Sequence, residues 1–315
     1  MNEPQLASLV PCRILSLDGG GAKGLYTLGV LKEIESMLGG PLAARFDLIF
    51  GTSTGSIIAA LVALGSSVDE IATCYRAHVP TIMRRRTAAR RSSALKDAAA
   101  SVFGERTFAD FQTGVGIVAT RWAFETPMIF KNTVTYAHGR QATFQPGFGC
   151  TIADAVRASC SAYPFFAKTT VSTQDGDVVA IDGGYCANNP TLYAIADAVT
   201  RLNRAHADLR VVSIGVGCYP EPKRWPYWLM KYWPGVALLQ KTMGINTSSM
   251  EQLRAVLFKD IPTVRINETF SHPEMATDLL EANERKLNLL YQRGCQSFAA
   301  HESALRRLLD VGRVS

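Results

Sequence analysis

Residues 13–24, RILSLDGGGAKG, and residues 46–55, FDLIFGTSTG, share one grammar: a short apolar run followed by a glycine-rich turn. Apolar residues at helical spacing follow each turn, Leu28, Leu31, Ile34 and Leu38 after the first, and Ile57, Ile58, Leu61 and Leu64 after the second. A short apolar run bounded by turn residues reads as a strand, and a 3.6-residue period as a helix. The spacing therefore predicts strand, turn and helix twice over.

Outward from these units the alternation continues. Residues 115–119 and 127–131 read as strands, 152–159 as a helix, 178–181 as a strand ending in Asp182, 192–202 as a helix and 210–216 as a buried strand. Such a pattern predicts an α/β fold, a largely parallel sheet covered by helices, with working residues gathered at the carboxyl ends of strands. Two segments break it. Residues 83–100 are polar, basic and alanine-rich and read as an excursion from the core, while RWPYWLMKYWPG beyond Cys218 is dense in proline and aromatics. Residues 278–309 read as one or two polar-faced helices.

The 315 residues, 47% hydrophobic and 19% charged, suffice for one domain. We expect a single unit over 1–315, with its motif-bearing core at about 13–217 and a helical and aromatic extension at 218–315. The first residues lack a basic, then apolar, leader pattern, and the longest apolar stretch, 57–64, is far short of a bilayer span, so a cytoplasmic protein is expected. Seven cysteines without a CxxC pair indicate neither a disulfide framework nor a metal site. A net charge of +6 favours anionic surfaces or ligands.

Three motifs carry chemistry. GTSTG places Ser53 between Gly51, Thr52, Thr54 and Gly55, the pattern of a nucleophile on a strained strand-to-helix turn. DGGGAKG contains GxGxxG, which fits a phosphate cradle, a dinucleotide site or an oxyanion hole. Leu25 and Tyr26 follow where a phosphate loop needs Lys and Ser/Thr, and Asp47 begins its strand where a dinucleotide site wants an acid at a strand end. An oxyanion hole needs only backbone N–H groups, from Gly19, Gly20, Gly21, Ala22, Lys23 and Gly24, with the Lys23 cation nearby. The third motif is Asp182 with Gly183 and Gly184, which reads either as a turn or as a carboxylate aimed inward. Of the five histidines, His206 and His272 are the alternatives for a triad; Asp182 acting directly on Ser53 is the preferred base.

DGGGAKG, GTSTG and DGG in this order resemble the patatin-like phospholipases. IADAVRASCSAYPFF at 152–166, ANNP at 187–190 and VVSIGVG at 211–217 extend the likeness over about two thirds of the chain. The resemblance implies a three-layer patatin-like fold with helices on both faces of the sheet. It also implies hydrolysis of lipid acyl esters by a Ser53–Asp182 dyad without histidine, metal or organic cofactor, and the glycine segment as oxyanion hole. Two departures are Lys23, where arginine is commoner, and Cys160, where threonine or a small residue is usual. The segment 13–35 is similar to compact bacterial patatins, including anti-phage effectors switched on by cyclic dinucleotides.

Arg84, Arg85, Arg86, Arg90 and Arg91 are candidate contacts for such an anionic activator, the alternative being a solvated basic segment. Trp225, Trp228 and Trp233, set among Lys223, Arg224 and Lys231, are candidate contacts for a phospholipid membrane surface, at which a cytoplasmic enzyme would be peripheral when active. Core packing or a contact between subunits of a homo-oligomer is their alternative. No nucleic-acid polymer is expected as partner. Rival readings of the whole chain are a nucleotide-binding regulator built on the glycine loop and a patatin-like storage or structural protein.

Overall fold

A computed structural model of the chain describes residues 10–138, 141–220 and 233–311. The two repeated units are β1 (Cys12–Leu17) with α1 (Gly24–Leu38) and β2 (Leu48–Thr52) with α2 (Thr54–Ala63). There follow α3 (Val68–Met83), α4 (Ala88–Phe103), β3 (Gly114–Arg121), β4 (Thr126–Lys131), α5 (Ile152–Ser159), β5 (Thr169–Thr173) and β6 (Gly176–Asp182). After these come α6 (Gly184–Ala187), α7 (Thr191–Thr200), β7 (Leu209–Ile214), α8 (Trp233–Leu257), β8 (Thr263–Ile266) and α9 (Glu284–Leu308).

All eight strands form one sheet in the order β5-β6-β3-β2-β1-β7-β8, with β4 also on β3. Strands β3, β2, β1, β7 and β8 are mutually parallel. Successive side chains of a strand point to opposite faces, and here each face has its own apolar layer. Leu15, Leu17 and Ile49 pack with α1 to α5 and α9, whereas Ile14, Leu48 and Phe50 pack with Ala194, Ile195 and Ala198 of α7. The result is three layers with helices on both faces.

The pairing around β3 differs from the sequence expectation and positions the site. β2 lies along one edge of β3 up to the pair Thr52–Val118. β4 takes the opposite edge, since it pairs with the same residues 116–118. β6 is antiparallel and occupies the β2 edge from Ala119 onward, with Asp182 opposite Ala119. Two strands thus run toward each other along one edge and end at neighbouring residues. Asp182 reaches the site from a strand of opposite direction, not from one of the parallel set.

Residues 83–100 are also not an excursion. Thr87 caps α4 by accepting from Arg90 N–H, and Leu95, Ala99 and Phe103, spaced four apart, face the core. The other residues of the helix are exposed or half-buried and mostly polar or small, so composition alone makes it look detached. Among the described residues after 217, β8 extends the sheet and α9 packs along α1. At that crossing a Cβ on Gly29 would lie 2.1 Å from the Tyr291 carbonyl, and one on Gly294 2.1 Å from that of Tyr26. The helices meet backbone to backbone.

Candidate active site

Ser53 ends the turn between β2 and α2 with φ 52° and ψ −122°, a conformation that costs a non-glycine residue on the order of 1–3 kcal/mol. Its surroundings hold it there. The Ser53 N–H donates to Ser159 Oγ at 2.8 Å, Ser159 Oγ donates to the Val118 carbonyl at 2.5 Å, and Ser56 Oγ donates to the Ser53 carbonyl at 2.6 Å. Both flanking glycines are required by crowding: a Cβ on Gly51 would lie 2.3 Å from the Gly55 carbonyl, and one on Gly55 2.2 Å from that of Leu17. Thr52 Oγ1 donates to the Ala187 carbonyl, tying the turn to α6.

Ser53 Oγ donates to Asp182 Oδ2 at 2.6 Å. The other carboxylate oxygen accepts the Gly184 N–H at 2.7 Å, and the Asp182 N–H donates to the Ser161 carbonyl at 3.0 Å. Asp182 is fully buried, and burial pushes its pKa up to about 7, against smaller downward effects of the two hydrogen bonds. A carboxylate that changes protonation near neutrality is suited to accept a hydroxyl proton and give it back.

The glycine loop lies across this pair. Gly19 N–H donates to the Asn188 carbonyl at 2.9 Å, and Asn188 Nδ2 donates to the Gly19 carbonyl at 3.2 Å, clamping the loop to the ANNP turn. Tyr75 OH, deep under the loop, donates to the Gly21 carbonyl and accepts from Thr54 Oγ1, joining loop to nucleophile helix. Gly20 and Gly21 N–H have no acceptor among the described residues, and Thr54, first in α2, has a free N–H by position. The other members of the expected set are corrections to the sequence reading, because their N–H groups are already engaged: Gly19 by the Asn188 carbonyl, Ala22 by that of Leu279 at 3.0 Å, Lys23 by that of Gly20 and Gly24 by that of Gly21. Lys23, half-buried, lines the far side of the loop, where burial pushes its pKa down.

An apolar cavity of about 50 Å³ opens over Ser53 and Asp182 between Ile57, Val79, Leu95, Phe165 and Met243. A second, of about 40 Å³, shares Ile57, Tyr75, Val79, Ile82 and Leu95 with it and continues between α3 and α4. On the opposite side of the loop lies a larger cleft of about 610 Å³ with both polar and apolar walls. No histidine lines the cavity at Ser53: His206 is bound to Asp260 at 2.7 Å, and His272 is exposed.

The other candidate residues are dispersed. Arg84 binds Glu284 and the Ala282 carbonyl, Arg91 binds the Phe165 carbonyl, Arg85, Arg86 and Arg90 are exposed, and none of the five lines the cavity or the cleft. Trp225, Trp228 and the side chain of Trp233 lie outside the described residues. Among the described residues no group of histidine, cysteine or acidic side chains is placed to hold a metal, and no helix is long and apolar enough to cross a membrane. The supporting roles of Ser159, Tyr75 and Leu279 were not foreseen; of the three, only Ser159 falls in a motif segment, ASCSAYPFF.

A buried serine hydroxyl bound to a carboxylate under a glycine loop, at the carboxyl end of a parallel strand, is the arrangement that a serine acyl hydrolase would use. A family profile described as patatin-like phospholipase matches residues 15–195, and the chain belongs to that family of lipid acyl hydrolases. A cUMP-AMP-activated phospholipase of Escherichia coli is 64% identical over 302 residues, covering 95% of this chain and 94% of that one. A cGAMP-activated phospholipase of Vibrio cholerae serotype O1 is 28% identical, covering 96% and 94%. Among solved structures, VipD from Legionella pneumophila aligns over 93% of this chain and 67% of its own with a TM-score of 0.45 and 12% identity.

Proposed function

We propose that this chain hydrolyses fatty-acyl esters of membrane phospholipids through a Ser53–Asp182 dyad and an acyl-enzyme, and that a cyclic dinucleotide switches it on. The observation that carries the first part is the direct Ser53 Oγ to Asp182 Oδ2 hydrogen bond at the floor of an apolar cavity. Asp182 takes the Ser53 proton as the oxygen attacks the ester carbonyl, and the resulting oxyanion is held by N–H groups of Gly20, Gly21 and Thr54. Asp182 then returns the proton to the departing lysolipid alcohol, leaving Ser53 acylated. A water deprotonated by Asp182 then attacks that acyl ester, and Asp182 passes the proton to the departing Ser53 oxygen, which releases the fatty acid and restores the dyad. The apolar walls take the acyl chain.

The switch is supported by the two relatives named for activation by cUMP-AMP and cGAMP. Such a switch fits the anti-phage effectors that the glycine-loop segment resembles. We assign the Trp225–Trp233 segment to peripheral contact with the inner membrane on its composition. The test is fatty-acid release from phosphatidylglycerol and phosphatidylethanolamine vesicles with and without cUMP-AMP. Release that requires Ser53 and rises with the dinucleotide is expected; release unaffected by Ser53→Ala contradicts the dyad, and release indifferent to every cyclic dinucleotide contradicts the switch.

A further inference from the structure

The larger cleft behind the glycine loop plays no part in the reaction proposed above. Its volume of about 610 Å³ falls in the range of roughly 300–1,000 Å³ usual for small-molecule sites. The loop forms one side, a face of α8 from Gly244 to Gln252 another, and the strap 277–279 a third. Buried polar atoms on three lining residues, Asn188 Oδ1, Tyr219 OH and Thr277 Oγ1, have no partner among the described residues. Such atoms are costly unless something polar meets them. Asp18, at the cleft, is neutralised by a two-pronged contact from Arg265 at 2.9 and 2.5 Å; Lys23 lines the cleft under the charge of Asp278, and Lys241 lines it from α8. The chemistry suits an anion with several polar acceptors and donors.

The strap connects this cleft to the reaction site. Leu279 lines both cavities, and its carbonyl oxygen occupies the Ala22 N–H. A protein carbonyl therefore sits on the glycine loop, and the leucine behind it narrows the apolar cavity. We propose that this cleft, with its apolar walls and its polar and cationic side chains, binds a phosphodiester ligand, the cyclic-dinucleotide activator, and that this ligand opens the active site by drawing the Leu279 carbonyl off Ala22. Movement of the strap frees a donor beside Gly20 and Gly21 and widens the acyl cavity in one step. This rests on the proposed reading of the chain as an activated phospholipase. A phospholipid headgroup carries the same phosphodiester, so the experiment must separate the two sources.

The test measures binding of cUMP-AMP to the full chain, its stimulation of soluble-ester hydrolysis, and hydrogen exchange at the Ala22 amide. Gly244 is exposed on the α8 wall, and a Cβ there meets nothing within 4 Å, so Gly244→Trp adds bulk without displacing the interior. Wild type and Ser53→Ala are expected to bind alike and to exchange Ala22 faster when liganded. Gly244→Trp is expected to bind at least about tenfold more weakly, a loss of about 1.4 kcal/mol, while Arg85→Ala binds as wild type. Stimulation of wild type with undiminished binding by Gly244→Trp places the site elsewhere and overturns the proposal. Binding without faster Ala22 exchange overturns the strap mechanism. If wild type neither binds nor responds to cUMP-AMP, the activator reading itself fails. A cleft that instead binds glycerophosphoglycerol, blocked by Gly244→Trp, assigns it to the lipid headgroup and overturns its role as a switch.

Discussion

Ser53 and Asp182 are 129 residues apart in the chain and 2.6 Å apart at their side-chain oxygens, because β2 and β6 end head to head on one edge of β3. The carboxylate meets the hydroxyl directly, with no histidine between them. It is a buried acid, and burial raises its pKa.

Acylation by this chain should rise with pH with a midpoint near 7, since Asp182 must be ionised to accept the proton and its pKa is pushed to about 7. Stability runs the other way. The folded pKa lies above the ordinary value of about 3.9, so the preference of the fold for the protonated acid is complete below pH ~4 and is lost as pH rises through ~7. Asp182→Asn should therefore be more stable than wild type at pH 8 by on the order of 2–4 kcal/mol, with the gain gone at pH 4. Single-turnover ester cleavage and urea unfolding at the two pH values check both directions.

Ser159→Ala removes the acceptor of the Ser53 N–H and leaves a buried donor unmet at a strained residue. The expected loss of stability is about 1–3 kcal/mol, read by urea unfolding, with a fall in turnover as the turn relaxes. An unchanged unfolding midpoint would show that the elbow does not depend on this bond.

Tyr75→Phe keeps the ring and removes the hydroxyl that joins Thr54 to the Gly21 carbonyl. Because the hydroxyl orients the loop and touches no reacting atom, kcat should fall by roughly tenfold to a hundredfold while KM changes little. Steady-state kinetics on a soluble ester separates the two constants.

Arg265→Ala strands the Asp18 carboxylate, which is 2% exposed, beneath the loop. Breaking a buried pair from one side typically costs about 3–5 kcal/mol. Thermal unfolding should show that loss at pH 7, and the double variant Asp18→Asn with Arg265→Ala should recover part of it.

What was legible in the sequence was local. The strand-turn-helix units around DGGGAKG and GTSTG could be read because turn residues and period changes lie within a few positions of each other. Asp182 could be placed at a strand end for the same reason. The direction of β6 could not, since an antiparallel strand beside β3 has the same apolar pattern as a parallel one. The short strands β5 and β8 escaped notice: TTVST alternates between buried and exposed positions but is polar, and β8 has four residues. α4 was misread because a three-residue stripe of Leu95, Ala99 and Phe103 is thin against the thirteen other, mostly polar and small, positions. The Leu279 contact with Ala22 is made by backbone, which no side-chain pattern announces.

The central claim is that Asp182 activates Ser53, and labelling with a fluorophosphonate, located by mass spectrometry, tests it most directly. The account predicts a single adduct on Ser53 in wild type, formed faster as pH rises through ~7, and at least about a hundredfold slower in folded Asp182→Asn. An adduct on another serine, or equal labelling of Ser53 in Asp182→Asn, would contradict it.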